Sequence, residues 1–301
     1  MKLSVIFCTY NREKYLYNAL KSVAEQDFPY QDYEIVMVNN NSTDSTESIC
    51  RQFQADYPQV EFHYFLETNQ GLSYARNRGV KESRGDILVF VDDDATVFDH
   101  YLSCISCFFE SYPDVSACGG PIIPVYEVEK PQWLSHYTEQ LLGGALYEGD
   151  KEKPFRNGKY PGGGNSAFRK EVFDKYGLFN VELGRKGTGL IGAEEKDLYD
   201  RLTRGNEVFY YLPQMGIHHY IPEKKLSESH FRELTYSIGK SERIRTKAVS
   251  PKAYRGRMLS ECKKWLGSIV LFLIYTIRLT PSKGWKLLQF RWNVTRGLLG
   301  K

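Results

Sequence analysis

Three adjacent carboxylates, Asp92-Asp93-Asp94, directly follow the apolar run 87–91 and are the first candidates for chemistry. A run of β-branched and aromatic residues is typical of a strand buried on both faces of a parallel sheet. In open α/β sheets, ligands bind beyond the carboxyl ends of the strands, where these acids would project. Hard divalent cations prefer carboxylate oxygens, so the cluster favours a Mg²⁺ or Mn²⁺ site that also accepts a substrate's phosphates. A solvated acidic turn is the alternative interpretation.

Two later segments combine glycines with polar side chains. The run Gly162-Gly163-Gly164-Asn165 would let the backbone approach a ligand closely, although a flexible linker has the same composition. A second glycine-bearing loop, 184–192, leads into Glu194-Glu195 at the start of a predicted helix. The helix dipole alone favours acids there, so capping is one interpretation. The other is a carboxylate held at the edge of a cleft.

Strands alternate with helices through the first half of the chain and would position these groups. Strands are predicted over 3–8, 33–38, 60–66 and 87–91, with amphipathic helices between them. This alternation is typical of an α/β fold, a Rossmann-like, doubly wound and mostly parallel sheet with helices on both faces. The turn after the first strand lacks the glycines of a dinucleotide-binding motif.

The composition is that of an ordinary globular protein. The 301 residues are 42% hydrophobic and 26% charged, which is enough to build a sizeable core. Cys104-x-x-Cys107 has no second pair to complete a zinc site, so we interpret it as a helix face packing into the core. The segment 1–8 is too short for a signal peptide and reads as the first strand, and unpaired cysteines favour the cytosol.

The C-terminal part differs sharply in charge from the remainder. Residues 240–301 contain 15 Lys and Arg against two acids, whereas residues 1–239 contain 25 basic and 35 acidic residues. The apolar run 266–279 is shorter than the ~18–20 residues that a membrane-spanning helix needs. Lysines and tryptophans flank it, which favours a helix at a membrane surface, with a buried core helix as the alternative. We therefore predict a basic helical extension over 223–301, associated with the membrane.

Taken together, six segments resemble the family 2 glycosyltransferases, inverting enzymes with the GT-A fold, over residues 1 to about 220. The segments that carry the resemblance are 5–12, 34–44, 71–77, 90–94, 163–169 and 192–195. The C-terminal extension is similar to those of bacterial enzymes that build surface polysaccharides. The resemblance implies a GT-A glycosyltransferase domain over residues 1–222.

The resemblance also implies roles for named residues. Glu195 stands where the family carries its general base, with Glu194 and Asp197 as the other candidates for this catalytic role. The family's metal-binding motif falls on Asp94 and Asp92, and His219 resembles a C-terminal histidine of relatives, although a core or capping histidine fits equally well. The remaining residues are implied to bind the nucleotide-sugar donor: Thr9, Tyr10, Asn11, Arg12, Asn39, Asn41, Arg76, Asp92, Asp93, Gly163, Gly164 and Asn165.

Two residues depart from the family's pattern. Asn39 stands where many members have an aspartate that contacts the base, which weakens the case for uracil. Cys8 replaces a frequent proline, a change that we expect to affect only strand geometry.

The implied activity is metal-dependent, inverting transfer of a sugar from a nucleotide-diphosphate donor to an acceptor hydroxyl. The expected partners are a nucleotide-sugar, a glycan or lipid-linked acceptor and a membrane surface, but no nucleic acid. The expected location is cytoplasmic, peripheral at the inner face of the cell membrane. Two alternatives remain: a haloacid-dehalogenase-like phosphatase that uses Asp92 and Asp94, and a non-catalytic sugar-nucleotide-binding module. Three strands precede Asp92, however, whereas such phosphatases carry this motif on the first strand of the domain.

Overall fold

A computed structural model describes residues 1–156 and 158–301. Its strands, in chain order, are β1 (Leu3–Thr9), β2 (Tyr33–Asn39), β3 (Phe62–Leu66), β4 (Ile87–Asp92), β5 (Ala95–Val97), β6 (Ala117–Gly119), β7 (Ile122–Tyr126), β8 (Lys153–Pro154), β9 (Asn165–Arg169), β10 (Phe209–Tyr211) and β11 (Ile217–Ile221). Its helices are α1 (Glu13–Ala24), α2 (Thr46–Asp56), α3 (Leu72–Glu82), α4 (Tyr101–Ser111), α5 (His136–Gly143), α6 (Glu171–Tyr176), α7 (Glu194–Arg204), α8 (Glu228–Val249), α9 (Pro251–Ile277) and α10 (Pro281–Leu299).

Eight strands form one sheet in the order β3-β2-β1-β4-β9-β6-β10-β8. The pairs β2–β3, β1–β2, β1–β4 and β6–β10 are parallel, as the strand–helix alternation predicts. Strand β9 runs antiparallel to both of its neighbours, β4 and β6. The central strands β1, β2 and β4 are buried almost throughout because helices cover both faces. The predicted doubly wound α/β architecture is confirmed, and the glycine-rich segment that precedes β9 lies beside the end of β4.

A second, three-stranded sheet has the order β5-β11-β7. Strand β5 begins immediately after Asp94 and pairs antiparallel with β11, with His219 opposite Ala95. Because side chains alternate along a strand, His218 is exposed while His219 is buried. This short sheet therefore places a histidine next to the acidic cluster.

The chain divides into two compact units. The first comprises residues 1–125, 146–181 and 195–220, and it contains the eight-stranded sheet. The second comprises residues 126–145, 182–194 and 221–301, and it contains the C-terminal helices. The predicted division at residue 222 stays a prediction. The second unit begins its C-terminal part near this residue and also includes the earlier segments 126–145 and 182–194.

The second unit has a hydrophobic core of its own, formed by α5, α8 and α10. Phe231 and Leu234 of α8 pack with Phe290, Val294 and Leu298 of α10. Buried ion pairs link the helices as well: Arg257 contacts both Glu242 and Glu261, and Glu261 also contacts Arg291 at 3.0 Å. Part of the basic charge of this region is therefore used inside the helical unit.

Helix α9 is longer than the predicted apolar run, and its apolar residues face outward. Large hydrophobic side chains on α9 and in the turn after it are exposed, at Leu266, Ile269, Val270, Leu273, Ile274, Ile277 and Leu279. The exposed fraction reaches 81% at Ile277 and 88% at Leu279. The alternative of a buried core helix is therefore wrong for this face. Within residues 1–156 and 158–301, none of the helices combines the length and the hydropathy of a membrane span.

Candidate active site

The carboxyl ends of β1, β2 and β4 lie side by side and bring together three of the predicted segments. Thr9 at the end of β1 pairs with Asn39 at the end of β2, and Cys8 pairs with Asp92 at the end of β4. Parallel strands present their carboxyl ends at the same edge of a sheet, which is where ligands bind in such folds. The loops that follow these strands therefore surround one place.

Asp92, Asp94 and His219 form a group suited to a divalent cation. One ligand atom from each lies within 4.8 Å of the others. The Nε2 atom of His219 lies 3.1 Å from Oδ1 of Asp94, and Nη1 of Arg12 lies 3.5 Å from Oδ2. Two carboxylates and an imidazole are ligands that Mn²⁺ and related ions accept. The donor set thus fits the metal that the sequence predicts.

Asp93 faces the interior of the first unit. Its Oδ2 accepts a hydrogen bond from Oγ1 of Thr9 at 2.5 Å. Burial, together with Asp94 and Asp92, raises the pKa of Asp93 to about 7, although Arg12 and the Thr9 hydroxyl act in the opposite direction. Burial lowers the pKa of Arg12, but the three aspartates more than offset this effect and raise it, so Arg12 remains charged. Asp93 and Thr9 thus contact each other, and their predicted roles in donor binding stay predictions.

Glu195, in the first turn of α7, lies against the glycine-rich segment. A Cβ atom added to Gly163 would lie 2.7 Å from Oε1 of Glu195, and one added to Gly164 would lie 1.9 Å from Oδ2 of Asp92. The Cα atoms of consecutive residues are about 3.8 Å apart, so the carboxylates of Glu195 and Asp92 approach neighbouring positions of the backbone. Only glycines leave room for both acids at this point.

Arg76 of α3 contacts both the glycine-rich segment and Glu195. Its Nη2 donates a hydrogen bond to the carbonyl of Gly163 at 3.0 Å, and its Nη1 lies 3.7 Å from Oε2 of Glu195. That oxygen is buried and has no hydrogen-bond partner among the described residues. The guanidinium of Arg76 thus contacts the candidate general base, and its predicted role in donor binding stays a prediction.

The loops after β1 and β2 are tied to each other. Oδ1 of Asn11 accepts a hydrogen bond from the backbone of Thr43, and the backbone of Asn11 donates to Ser42. Asn11 and Asn41 both have positive φ angles, 53° and 61°, a conformation that asparagine tolerates better than most residues. The half-exposed Tyr10 follows β1 in the same loop, and the exposed Asn41 follows β2 in its partner.

Three predicted site residues have side chains engaged elsewhere. Asn165 is fully buried and bonds to Tyr101, Pro121 and Met215. Asn39 donates to Tyr64 and accepts from the backbone of Ser42. Asp197 pairs with Arg201 one turn along α7, at 3.1 Å. The structure does not bring these side chains into the acidic group, and their site roles stay predictions. Glu194 is buried at the start of α7 and belongs to the second compact unit.

Sequence reasoning missed the contacts that Arg76 and Thr9 make with the acids. No local pattern signals such contacts, because the partners lie 119 and 84 positions apart along the chain. Tyr220 was also missed; it stacks on Tyr15 with ring centroids 6.0 Å apart, one residue after His219. The aromatic residues in the His218–Ile221 run were the available signal.

A second group of potential metal ligands lies at the opposite ends of β2 and β3. It comprises Glu34, Glu61 and His63. Lys2 and Arg84 already pair with Glu61, and the hydroxyl of Ser4 and the backbone of Arg84 donate to Glu34. Both cations pair with Glu61, whereas Glu34 receives neutral donors, and these contacts favour a structural role for the group.

The chain was compared with known families and proteins. Residues 4–177 match the family model described as Glycosyl transferase family 2. A glucosyl-dolichyl phosphate glucuronosyltransferase from Haloferax volcanii is 30% identical over 215 residues, covering 70% of this chain and 66% of that protein. A GalNAc(5)-diNAcBac-PP-undecaprenol beta-1,3-glucosyltransferase from Campylobacter jejuni is 38% identical over 206 residues, covering 66% and 62%. The matches span less than two thirds of the length of these relatives.

Solved structures show the same fold over the whole chain. A mannosyltransferase from Pyrobaculum calidifontis, in complex with GDP-Man and Mn²⁺, superposes with a TM-score of 0.66 at 17% identity, covering 99% of this chain and 87% of that one. Residues 1–349 of TarS from S. aureus, in complex with UDP-GlcNAc, superpose with a TM-score of 0.54 at 19% identity, covering 100% and 93%. The fold is therefore GT-A with a helical C-terminal region.

Proposed function

Because the chain belongs to the family 2 glycosyltransferases, we propose that it transfers a sugar from a nucleotide-diphosphate donor to an acceptor hydroxyl, with inversion. The observation that carries this proposal is the placement of Asp92 and Glu195 against the adjacent glycines Gly164 and Gly163. Inversion by one displacement needs a base on one side of the anomeric carbon and support for the leaving group on the other. Carboxylates that flank one glycine pair are suited to these two tasks.

The chain's own residues prepare the leaving-group side. Asp92, Asp94 and His219 would hold Mn²⁺ or Mg²⁺. When bound, such an ion acts as a Lewis acid that neutralises charge on the departing diphosphate. Arg12 adds a fixed positive charge beside Asp94. Thr9 and Asp93 hold the end of β1 against the end of β4 and so fix the base of the site.

Glu195 is the proposed general base. Its carboxylate would accept the proton of the acceptor hydroxyl as that oxygen attacks, a contribution of about 10²–10⁴-fold to the rate. Gly163 and Arg76 limit where the carboxylate can lie, because one packs against Oε1 and the other approaches Oε2. The buried Oε2 has no competing hydrogen bond among the described residues, which leaves it able to accept a proton.

The loops after β1 and β2 are the proposed nucleoside pocket. Tyr10, Asn11 and Asn41 lie on the two loops that hydrogen bonds tie together. The amide of Asn39 is engaged with Tyr64 and Ser42 beneath these loops. We therefore assign Asn39 to shaping this pocket, and the side chains above it to contacting the base and ribose.

The proposed acceptor is a lipid-linked or cell-surface glycan. The two relatives described above are named for dolichyl phosphate and undecaprenol diphosphate substrates, which are lipid carriers. The exposed apolar face of α9 and its flanking lysines would suit a peripheral position at the cytoplasmic face of a membrane. A surface-bound enzyme would meet a lipid-linked acceptor where that acceptor resides.

A donor screen tests the proposal. Thermal unfolding is followed with UDP-, GDP- and dTDP-sugars, each with Mn²⁺, with Mg²⁺ and with EDTA. We expect one nucleotide class to raise the Tm only when a divalent ion is present. That donor is then incubated with lipid-linked glycans, and the anomeric configuration of the product is determined by NMR. A product that retains the donor's configuration, or a panel without any stabilising donor, contradicts the proposal.

A further inference from the structure

The turn that leads into α7 contains a strained residue. Ala193 has a φ angle of 74°, in the left-handed region that residues other than glycine adopt at a cost. Such conformations persist where surrounding contacts enforce them. Glu194 and Glu195 follow immediately, so the direction in which α7 begins depends on this turn.

A serine of α8 fixes the residue before Ala193. The backbone N–H of Gly192 donates a hydrogen bond to Oγ of Ser241 at 3.0 Å. The Ser241 hydroxyl in turn donates to the carbonyl of Ser237 at 2.7 Å, and Ser241 is only 2% exposed. A hydroxyl has one proton, so its donation to Ser237 turns a lone pair towards Gly192. The acceptor that Gly192 meets is therefore oriented in advance.

Side-chain packing adds little at Gly192 itself. A Cβ atom added to Gly192 would have one neighbour within 4 Å, Oε2 of Glu194 at 3.9 Å, so side-chain packing does not confine this residue. Because peptide planes are rigid, a rotation of the backbone at Gly192 would also reorient Ala193 and the first turn of α7. The hydrogen bond between Gly192 and Ser241 would therefore affect the orientation of the Glu194 and Glu195 carboxylates.

We propose that Ser241 is a positioning residue for sugar transfer. It holds Gly192 so that Ala193 keeps its left-handed conformation and α7 presents its first-turn carboxylates in the productive direction. This inference rests on the proposed function for its catalytic consequence, and on the hydrogen bond for its structural part.

Steady-state kinetics of Ser241→Ala test the catalytic part. Loss of one oriented hydrogen bond should lower kcat about five- to tenfold, while the KM for the donor stays within about twofold because the donor-binding loops follow β1 and β2. The matched control is Ser237→Ala, because Ser237 contacts Ser241 through its carbonyl and not its hydroxyl. This control should keep the wild-type kcat.

A second substitution separates positioning from a general effect on α8. Glycine adopts the left-handed conformation without steric cost. Adding Ala193→Gly to Ser241→Ala should therefore restore kcat to within about twofold of wild type. If Ser241→Ala only loosened α8, the added glycine would restore nothing.

Hydrogen exchange supplies a readout that needs no activity. The amide of Gly192 should exchange faster in Ser241→Ala than in wild type, and at the wild-type rate in Ser237→Ala. Unchanged exchange in Ser241→Ala overturns the inference, whether or not the wild type transfers sugar. Faster exchange with an unchanged kcat also overturns it. An inactive wild type with intact Gly192 protection counts against the proposed function instead.

Discussion

The carboxylate of Glu195 lies between a glycine and an arginine, at Gly163 and Arg76. One oxygen, Oε1, packs against Gly163, and the buried Oε2 lacks a hydrogen bond among the described residues. Asp197 on the same helix is paired with Arg201 instead. These contacts favour Glu195 over Asp197 as the proposed general base.

Glu195→Gln should lower kcat by about 10² or more, as loss of a general base does. Donor affinity should stay near the wild-type value, because the amide keeps the volume of the carboxylate beside Gly163. The measurements are single-turnover transfer and donor binding. Asp197→Asn and Glu194→Gln are the matched comparisons. A larger loss of turnover in either of them would move the base assignment to that residue.

Residue chemistry was predictable from sequence to a different extent at each position. The acids at 92–94 could be identified because they follow an apolar strand, although the inward direction of Asp93 was not predicted. The contacts of Asn165 could not be predicted, since its bonds to Tyr101, Pro121 and Met215 span 44 to 64 positions. Cys107 is exposed while Cys104 packs against the core, so the predicted inward face of that helix is correct for one cysteine only.

At the scale of elements, β9 and the glycines before it complete the site. Strand β9 pairs antiparallel with β4, which brings residue 165 opposite Val91 and places Gly163 and Gly164 beyond the strand end. A parallel alternation alone does not predict this strand, because an antiparallel insertion from a distant segment leaves no periodic signal. The short strand β11 escaped prediction for a similar reason, although it supplies His219.

Gly164→Ala should disturb the metal-binding acids. The added Cβ would lie 1.9 Å from Oδ2 of Asp92, so Asp92 must move. We expect Mn²⁺-dependent stabilisation by the donor to fall at least tenfold in apparent affinity, measured by thermal shift. Gly267→Ala is the control, because a Cβ added on that helix meets nothing within 4 Å. Equal donor affinity in Gly164→Ala would show that Asp92 has another position available.

The prediction about pH concerns Glu61, at the end of the sheet opposite the candidate active site. Hydrogen bonds from Lys2 and His63 lower the pKa of Glu61 from 4.5 to about 2. A depressed carboxyl pKa stabilises the fold above the unfolded-state value and loses that contribution as pH falls through the folded-state value. The contribution of Glu61 is thus complete above about pH 4.5 and disappears as pH falls towards 2.

Lys2→Gln should flatten this dependence. Between pH 5 and pH 2.5, the Tm of wild type should fall more steeply than that of the variant, as differential scanning calorimetry would detect. Comparing the two proteins cancels the opposite effect of Asp93, whose raised pKa acts between about pH 4 and 7 in both. Parallel curves would mean that Lys2 does not hold the charge of Glu61.

At the scale of the whole molecule, the C-terminal helices have a hydrophobic core of their own and an exposed apolar face. Each fully buried Leu, Val or Phe contributes about 1.5–3 kcal/mol, and α10 supplies several of them to the core with α8. Removal of α9 and α10 would therefore strip the second unit of its core. Point substitutions on the exposed face test membrane binding without this loss.

The variant Leu273→Glu/Ile277→Glu should lose binding to anionic liposomes in a flotation assay. Both side chains are exposed, so the fold should tolerate the change while the apolar face acquires two acids. The control Val208→Glu introduces one acid at an exposed apolar position of the first unit. Wild type and control should float at low salt and less at high salt, because each basic residue near an anionic surface adds about 1 kcal/mol that salt screens. Flotation of the double variant equal to wild type contradicts the membrane assignment.

The contact between Arg12 and Asp94 would couple the binding of the two proposed ligands, the divalent ion and the nucleoside diphosphate. A divalent ion must compete for Asp94 with a cation tethered to the same chain, whereas a diphosphate offers Arg12 a second anion. Each ligand should therefore tighten the binding of the other by the same factor, as linkage requires. Isothermal titration of Mn²⁺ with and without nucleoside diphosphate measures this factor. Arg12→Gln should bind Mn²⁺ alone more tightly than wild type and reduce the coupling, and a factor of one in wild type would rule the competition out.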